Sequence, residues 1–168
     1  MKRLAIVLLA ALALVTSGVA AQTKAPATFA DYGKWETLAP AGARGGLSPD
    51  GKWLAYAINR SNRDNELVIS NLADGTKKVL PFGTAPVFSA DSAFLAYAIG
   101  QSEAEQEKLR ADQKPVQNKL GLLKLTAGET TTTDAVESFA FSPDGMWLSI
   151  RPYGPDGAGG GSASAVAA

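Results

Sequence analysis

Three aspartates recur at the same point of a repeated motif and are the residues most suggestive of chemistry. Asp50, Asp91 and Asp144 each lie two residues after a serine. Regularly spaced carboxylates could bind calcium, but Ca²⁺ takes about six to eight oxygen ligands. No cluster of that size surrounds any of the three, and an aspartate has an ordinary role within a tight turn. The sequence therefore predicts no metal site and no cofactor.

Catalysis is restricted by two residue types that the sequence lacks. The 168 residues contain no His and no Cys. A Ser-His-Asp triad needs an imidazole to accept the serine proton, and a cysteine nucleophile needs a thiol. Disulfides and thiolate metal sites are excluded on the same ground. We predict that no residue of this chain is catalytic.

Two further groups of side chains have the character of ligand-binding residues. The first is a polar loop of cations and amides: Asn59, Arg60, Asn62, Arg63 and Asn65. Loops often bind ligands, although a solvated turn is the simpler explanation here. The second is an aromatic set that could stack on a ligand: Trp53, Phe94 and Trp147. Their identical place in successive repeats favours packing in the core.

The charged residues do not favour a nucleic acid or an anionic membrane as partner. Lys plus Arg equals Asp plus Glu, at 16 each, so the formal net charge is zero. Binding to nucleic acid depends strongly on cations that neutralise phosphates. Charged residues make up 19% of the chain and Gly occurs 17 times, which is typical of strands joined by turns.

The first 21 residues have the pattern of a secretory signal peptide. Lys2 and Arg3 precede an apolar run from Leu4 to Val15, and the small residues Val19-Ala20-Ala21 follow. We expect cleavage after Ala21 and a periplasmic or secreted mature protein. The apolar run, at about 12 residues, is too short to span a bilayer core of about 30 Å. No membrane partner is expected after cleavage.

A repeat organises the remainder of the chain. Three segments align without gaps, at residues 47–56, 88–97 and 141–150, each beginning near a Ser-x-Asp sequence. Ser48 and Ser89 lie 41 residues apart, and Ser89 and Ser142 lie 53 apart. The first interval fits a four-stranded propeller blade, which repeats at about 40–50 residues.

The repeated unit predicts a tight turn followed by a strand. Ser-Pro-Asp-Gly is a turn signature because Pro presets φ and Gly accepts a backbone conformation that other residues avoid. The strand that follows is apolar at both parities, with Trp53 and Ala55 on one face and Leu54 and Tyr56 on the other. Such a strand is buried on both faces, as when sheets stack. The fold class is therefore all-β, a partial β-propeller of about two and a half four-stranded antiparallel blades.

Four regions follow from this pattern. The signal peptide (1–21) precedes an N-terminal lead-in (22–42), an incomplete propeller (43–153) and a Gly/Ala/Ser-rich tail (154–168) that we expect to be disordered. The longer second interval predicts a helical insertion at 102–114, with a capping box at Ser102 and Glu105 and a stop at Pro115. This helix is either a solvated insertion or a partner-binding arm.

The end blades of an incomplete propeller should expose apolar faces. The third repeat offers the face that we expect to carry Trp147 and Ile150. Repeat arrays need capping ends, so these faces predict marginal stability and self-association.

Three longer segments carry a family resemblance. Residues 31–38 (DYGKWETL), 57–67 (AINRSNRDNEL) and the insertion from Ile99 to Leu123 resemble the N-terminal propeller of secreted bacterial prolyl oligopeptidase-family serine peptidases. The resemblance covers roughly Asp31 to Tyr153. The repeat unit alone is also similar to other periplasmic propellers, including that of the Tol translocation system.

The resemblance implies a role in a peptidase without supplying its catalytic residues. In that family a propeller screens peptide substrates for an α/β-hydrolase domain whose nucleophile lies in a Gly-x-Ser-x-Gly turn. The nearest match here, residues 160–164 (GGSAS), lacks the second Gly. The expected role is therefore substrate gating by a chain that is inactive alone. A non-enzymatic scaffold for protein interactions, like the Tol propeller, is the alternative.

Overall fold

The computed structural model describes residues 26–29, 31, 35–39 and 46–154, together with the backbone of 164–167. The predicted signal peptide and its cleavage site lie outside these residues. The described elements, in chain order, are β1 Glu36–Ala39, β2 Trp53–Arg60, β3 Glu66–Asn71, β4 Lys77–Pro81, β5 Gly83–Phe88, β6 Phe94–Ile99, α1 Glu103–Ala111, β7 Lys119–Lys124, β8 Thr130–Thr133, β9 Val136–Phe141, β10 Trp147–Pro152 and β11 Ser164–Ala167.

The strands form three antiparallel sheets in which sequence neighbours pair. The first sheet is ordered β1-β2-β3-β4, the second β5-β6-β7-β8, and the third β9-β10-β11. The sheets contact one another through β2 and β3 with β5, and through β5 and β7 with β9. This stack of up-and-down sheets confirms the predicted all-β class and the partial propeller. No helix in the described part of the chain is long and apolar enough to cross a membrane.

The first two sheets enclose the larger apolar core. Alternate residues of β2 and β3 point into it, including Ala55, Leu67 and Ile69, and each is almost completely buried. The second sheet contributes Leu95 and Tyr97 from β6. The interface therefore combines small residues on the first sheet's β2 with large residues on the facing β6.

The second and third sheets enclose a separate core on the other side of β6. Ala96, which lies between Leu95 and Tyr97, faces this core together with Leu148 and Ile150 of β10. Because successive residues of a strand point to opposite faces, β6 is covered on both sides. The prediction of a doubly buried strand after the turn is confirmed for the second repeat.

The third repeat corrects the expectation for the outermost face. Ile150 is buried against the second sheet, whereas Trp147 is 51% exposed. The two residues cannot share a face, because an odd separation along a strand places their side chains on opposite sides. The outward face carries Trp147, Ser149 and Arg151.

Two segments add strands that the repeat unit did not reveal. Glu36–Ala39, within the predicted lead-in, pairs with β2 from Glu36↔Arg60 to Ala39↔Ala57. Ser164–Ala167 pairs with β10 from Ile150↔Ser164 to Trp147↔Ala167. Disorder is thus the wrong expectation for these four residues, because the edge of β10 offers backbone groups that small residues can pair with. The rest of the predicted tail beyond Gly154 lies outside the described residues.

The inserted helix follows its predicted capping signal. Ser102 is the N-cap, its hydroxyl accepts the Glu105 N–H at 3.3 Å, and the Glu105 carboxylate accepts the Ser102 N–H at 3.1 Å. The helix ends at Ala111, three residues before the predicted boundary. Gln113 has a φ of 56°, in the left-handed region, so the chain leaves the helix before Pro115 is reached.

Gly121 is required by the buried ring of Tyr97. The two residues are paired across β6 and β7, and a Cβ atom at position 121 would lie 2.4 Å from Tyr97 Cζ. We predict that Gly121→Ala lowers the free energy of unfolding by about 1–3 kcal/mol, as overpacking of a core does. Urea unfolding measures the change. Gly100→Ala is the control, because its Cβ would meet only the Phe82 carbonyl oxygen at 3.6 Å; equal effects of both variants would contradict this account.

Candidate functional site

Three hydrogen-bonded turns at one rim of the stack form the most regular polar feature of the described chain. We call them the serine–aspartate turns: Ser48–Trp53, Ser89–Phe94 and Ser142–Trp147. In the second, Ser89 Oγ donates to Asp91 Oδ1 at 2.6 Å and accepts the Phe94 N–H at 2.9 Å. Asp91 Oδ1 also accepts the Ala93 N–H at 3.0 Å. The hydroxyl thus joins the turn to the first residue of β6, and the carboxylate holds the residue before it.

The other two turns repeat this arrangement atom for atom. Ser48 Oγ donates to Asp50 Oδ1 at 2.6 Å and accepts the Trp53 N–H at 2.9 Å. Ser142 Oγ donates to Asp144 Oδ1 and accepts the Trp147 N–H at 3.0 Å. The three sequence-predicted aspartates therefore have structural roles in their turns, as the turn interpretation proposed. The hydrogen-bonding role of the serine hydroxyl was not predicted, although the constant Ser-x-Asp spacing in the sequence indicated it.

The turns also contact one another between sheets. The Asp50 N–H donates to Ser92 Oγ at 3.1 Å, which links the first turn to the second. Gly145 packs so closely on the second turn that a Cβ there would lie 2.9 Å from the Ala90 nitrogen. Gly51 and Gly145 have φ near +72° and +76°, and Ser92 occupies the equivalent place at +59°. Ser92 thus accepts an unfavourable backbone conformation and supplies the bond between sheets.

A groove of about 450 Å³ opens between these turns. Its walls come from all three sheets and include the prolines of two turns, with no charged side chain among the lining residues: Leu47, Pro49, Pro86, Phe88, Phe141 and Pro143. Such a surface suits an apolar side chain or an extended peptide segment better than a charged ligand.

The electrostatics of the turns favour ionised aspartates. The hydrogen bond from the Ser89 hydroxyl, and then that from the Ala93 N–H, lowers the pKa of Asp91. The same two kinds of donor lower the pKa of Asp50 and of Asp144. Each carboxylate is committed to its own turn. Among the described residues no group of three or more carboxylates is placed to hold a metal ion.

The opposite rim contains the polar loop, and Arg60 is not available there as a ligand-binding cation. Its guanidinium bonds to Glu36 Oε1 at 2.9 Å and to Glu66 Oε1 at 2.8 Å. These partners raise the pKa of Arg60, and Arg60 lowers the pKa of Glu66. Because Glu36 lies on β1 and Glu66 on β3, Arg60 joins three strands of the first sheet. The sequence held no signal for this pairing of distant residues.

Arg63 connects the same loop to the inserted helix. Its guanidinium lies 2.9 Å from Glu103 Oε1, in the first turn of α1. Gln106 Nε2 donates to the Gln101 carbonyl at 3.0 Å, and Gln101 Nε2 donates to the Gln117 carbonyl at 3.1 Å. The helix is therefore bonded to the loop that precedes it, through Gln101, and to the β2–β3 loop of the first sheet, through Arg63. Arg63 is exposed, as the solvated-turn interpretation expected.

The aromatic set is divided by its position in the stack. Trp53 packs against the first core, and Phe94 is half-buried at the start of β6. Trp147 projects from the outward face of the third sheet. The core interpretation applies to Trp53, whereas Trp147 is exposed because no described sheet follows it.

Comparisons with known proteins find similar solved structures but assign no family. No family model matches it, and no curated protein matches it. Among solved structures it is similar to the β-propeller domain of the Trilobed protease from Pyrococcus furiosus, with 18% identity and a TM-score of 0.46, covering 61% of this chain and 32% of that one. It is also similar to the acylaminoacyl peptidase of Pyrococcus horikoshii, with 17% identity and a TM-score of 0.48, covering 71% and 18%.

A third similar structure is an acylaminoacyl peptidase in complex with Z-Gly-Gly-Phe-chloromethyl ketone, with 20% identity and a TM-score of 0.49. That match covers 74% of this chain and 19% of the other. The chain thus spans less than a third of each of these three structures.

The ionised turns predict that stability falls in acid. The pKa of Asp91 is lowered in the folded chain, so the unfolded chain binds protons first as the pH drops through about 4. The contribution is present above the unfolded pKa and is lost as the pH falls through the folded pKa. We expect the urea midpoint to fall between about pH 6 and about pH 3, and to fall less steeply in Asp91→Asn. A midpoint that is equally pH-dependent in both proteins would contradict the role of this carboxylate.

Proposed function

We propose that this chain is the propeller part of an exported prolyl oligopeptidase-like serine peptidase, and that its role is to gate peptide access to a catalytic domain outside these 168 residues. The proposal rests first on the resemblance of residues 31–38, 57–67 and 99–123 to that family. Supporting it most directly, the insertion that carries part of this resemblance is a capped helix bonded to the first sheet by Arg63 and Glu103.

Two serines of the serine–aspartate turns support a role without catalysis. Ser48 and Ser89 have buried side chains, and each hydroxyl already bonds to an aspartate and a backbone N–H. The partner carboxylates have lowered pKa values, which makes them weak bases for removing a serine proton. These Ser-Asp pairs therefore serve the fold and are unsuited to nucleophilic attack.

The groove between the serine–aspartate turns supports contact with peptides. It is lined by Pro49, Pro86 and Pro143 together with two phenylalanines, and it carries no charge. Extended peptide segments bind such surfaces through their apolar side chains. The specificity is therefore expected to depend on side-chain size and apolarity.

A non-enzymatic scaffold is the second candidate, because the same uncharged groove could receive a loop of a partner protein. The coding DNA beyond Ala168 distinguishes the two. A Gly-x-Ser-x-Gly sequence followed later by a histidine would support the peptidase proposal. Further repeats of the Ser-Pro-Asp-Gly unit, followed by a stop codon, would support the scaffold.

We predict that the purified chain hydrolyses no short peptide, including prolyl substrates, because it contains no histidine and its turn serines are engaged. A fluorophosphonate probe should label the chain no more than it labels the heat-denatured protein, and an authentic serine peptidase provides the positive control. Stoichiometric labelling of a single serine in the folded chain would contradict the prediction.

A further inference from the structure

We infer that two copies of this chain bind head to tail through the outward faces of the first and third sheets. The leading face comprises outward residues of the first sheet: Leu38, Leu54, Tyr56, Ile58 and Val79. The trailing face comprises outward residues of the third sheet: Ser138, Ala140, Trp147, Ser149 and Arg151. This inference goes beyond the proposed function and does not depend on the peptidase relation.

The assignment of these faces follows from strand register. Ala55 and Ala57 point into the first core, so Leu54, Tyr56 and Ile58 point the other way. Leu38 is paired with Ile58 and therefore shares its face. On the third sheet Leu148 and Ile150 point inward, so Trp147 and Ser149 point outward. Val79 pairs with Val68, which pairs with Tyr56, and so completes the leading face.

Two interfaces inside the chain show what these faces bind. In each, a small residue in the second strand of one sheet shares a core with large residues in the second strand of the next. Ala55 faces a core with Leu95 and Tyr97, and Ala96 faces a core with Leu148 and Ile150. The same pair of surfaces is thus used twice in one direction along the stack.

The two outward faces carry residues at the same repeat positions as the two surfaces that meet inside the chain. On the trailing face Trp147 and Ser149 stand where the second sheet has Phe94 and Ala96. On the leading face Leu54 and Tyr56 stand where the second sheet has Leu95 and Tyr97. A second copy placed with its leading face on the trailing face of the first would reproduce the part of the internal interface to which the second strands contribute.

Exposure and charge permit this contact and limit its strength. Leu38 is 75% exposed, Val79 is 49% exposed, and about half of Trp147 is accessible. The formal net charge is zero, so no long-range repulsion opposes the approach of two copies. Arg151 replaces the alanine of the other repeats, but its Nε lies 3.3 Å from Glu137 Oε2, so it would enter the interface as a pair. We expect a reversible association, weaker than the internal contacts.

Charge substitutions on each face, tested alone and mixed, provide the decisive experiment. Val79→Lys blocks the leading face and Trp147→Lys blocks the trailing face. Sedimentation equilibrium of the full wild-type chain should show concentration-dependent association, and each variant alone should associate at least about tenfold more weakly, as a lysine buried in an interface requires. Mixed in equal amounts, the variants should form a 1:1 dimer, because each retains the face that the other lacks.

Two further variants separate this result from misfolding and from general stickiness. Val116→Lys, in the loop after α1, adds the same charge away from both faces and should associate as wild type does. Ser149→Ala restores the residue type of the other repeats and should strengthen association about threefold or more, since a buried hydroxyl is removed. A wild-type chain that stays monomeric, a mixture that fails to dimerise, or equal association of all variants would each overturn the inference.

Discussion

The serine–aspartate turn is the interaction on which the rest of this structure depends. A single serine hydroxyl accepts the N–H of the residue that begins the next strand and donates to the aspartate within the turn. The aspartate in turn accepts a second backbone N–H. These bonds satisfy backbone groups that would otherwise be left unpaired at a sharp reversal of the chain. Because the turn leads directly into the central strand, its geometry sets which face of β6 or β10 each apolar side chain occupies.

Stacking of the sheets follows from that register. Because β6 begins at a fixed residue, its successive side chains alternate between the two cores. Ala96 lies in one core, and Leu95 and Tyr97 lie in the other. The turns add contacts of their own between sheets, through Ser92 Oγ and through the close approach of Gly145 to Ala90. A stack built this way has direction, with small residues of one sheet meeting large residues of the next. Its binding surfaces are consequently a groove at the rim and two unlike end faces.

Local signals in the sequence were sufficient to predict the fold class. They did not predict which residues far apart in the chain would pair. The Ser-x-Asp units placed the strands after each turn, and Ser102 with Glu105 placed the start of α1, because both depend on residues within a few positions. The ion pair of Arg60 with Glu36 joins residues 24 positions apart, and that of Arg63 with Glu103 joins residues 40 positions apart. Such pairs leave no periodic trace in the chain. The strand at Ser164–Ala167 was not predicted, because its small residues carry no strand pattern of their own. It forms by pairing with the edge of β10.

The free energy of unfolding of Ser89→Ala tests the central role of the turn most directly. Ser138→Ala, on the exposed face of β9, is the matched control for loss of a hydroxyl. If the turn governs the stack, Ser89→Ala should destabilise the chain by about 1–3 kcal/mol, because the partly buried Phe94 N–H and the Asp91 carboxylate each lose a partner. The control should change by less than about 0.5 kcal/mol. Equal and small effects of both substitutions would contradict the account.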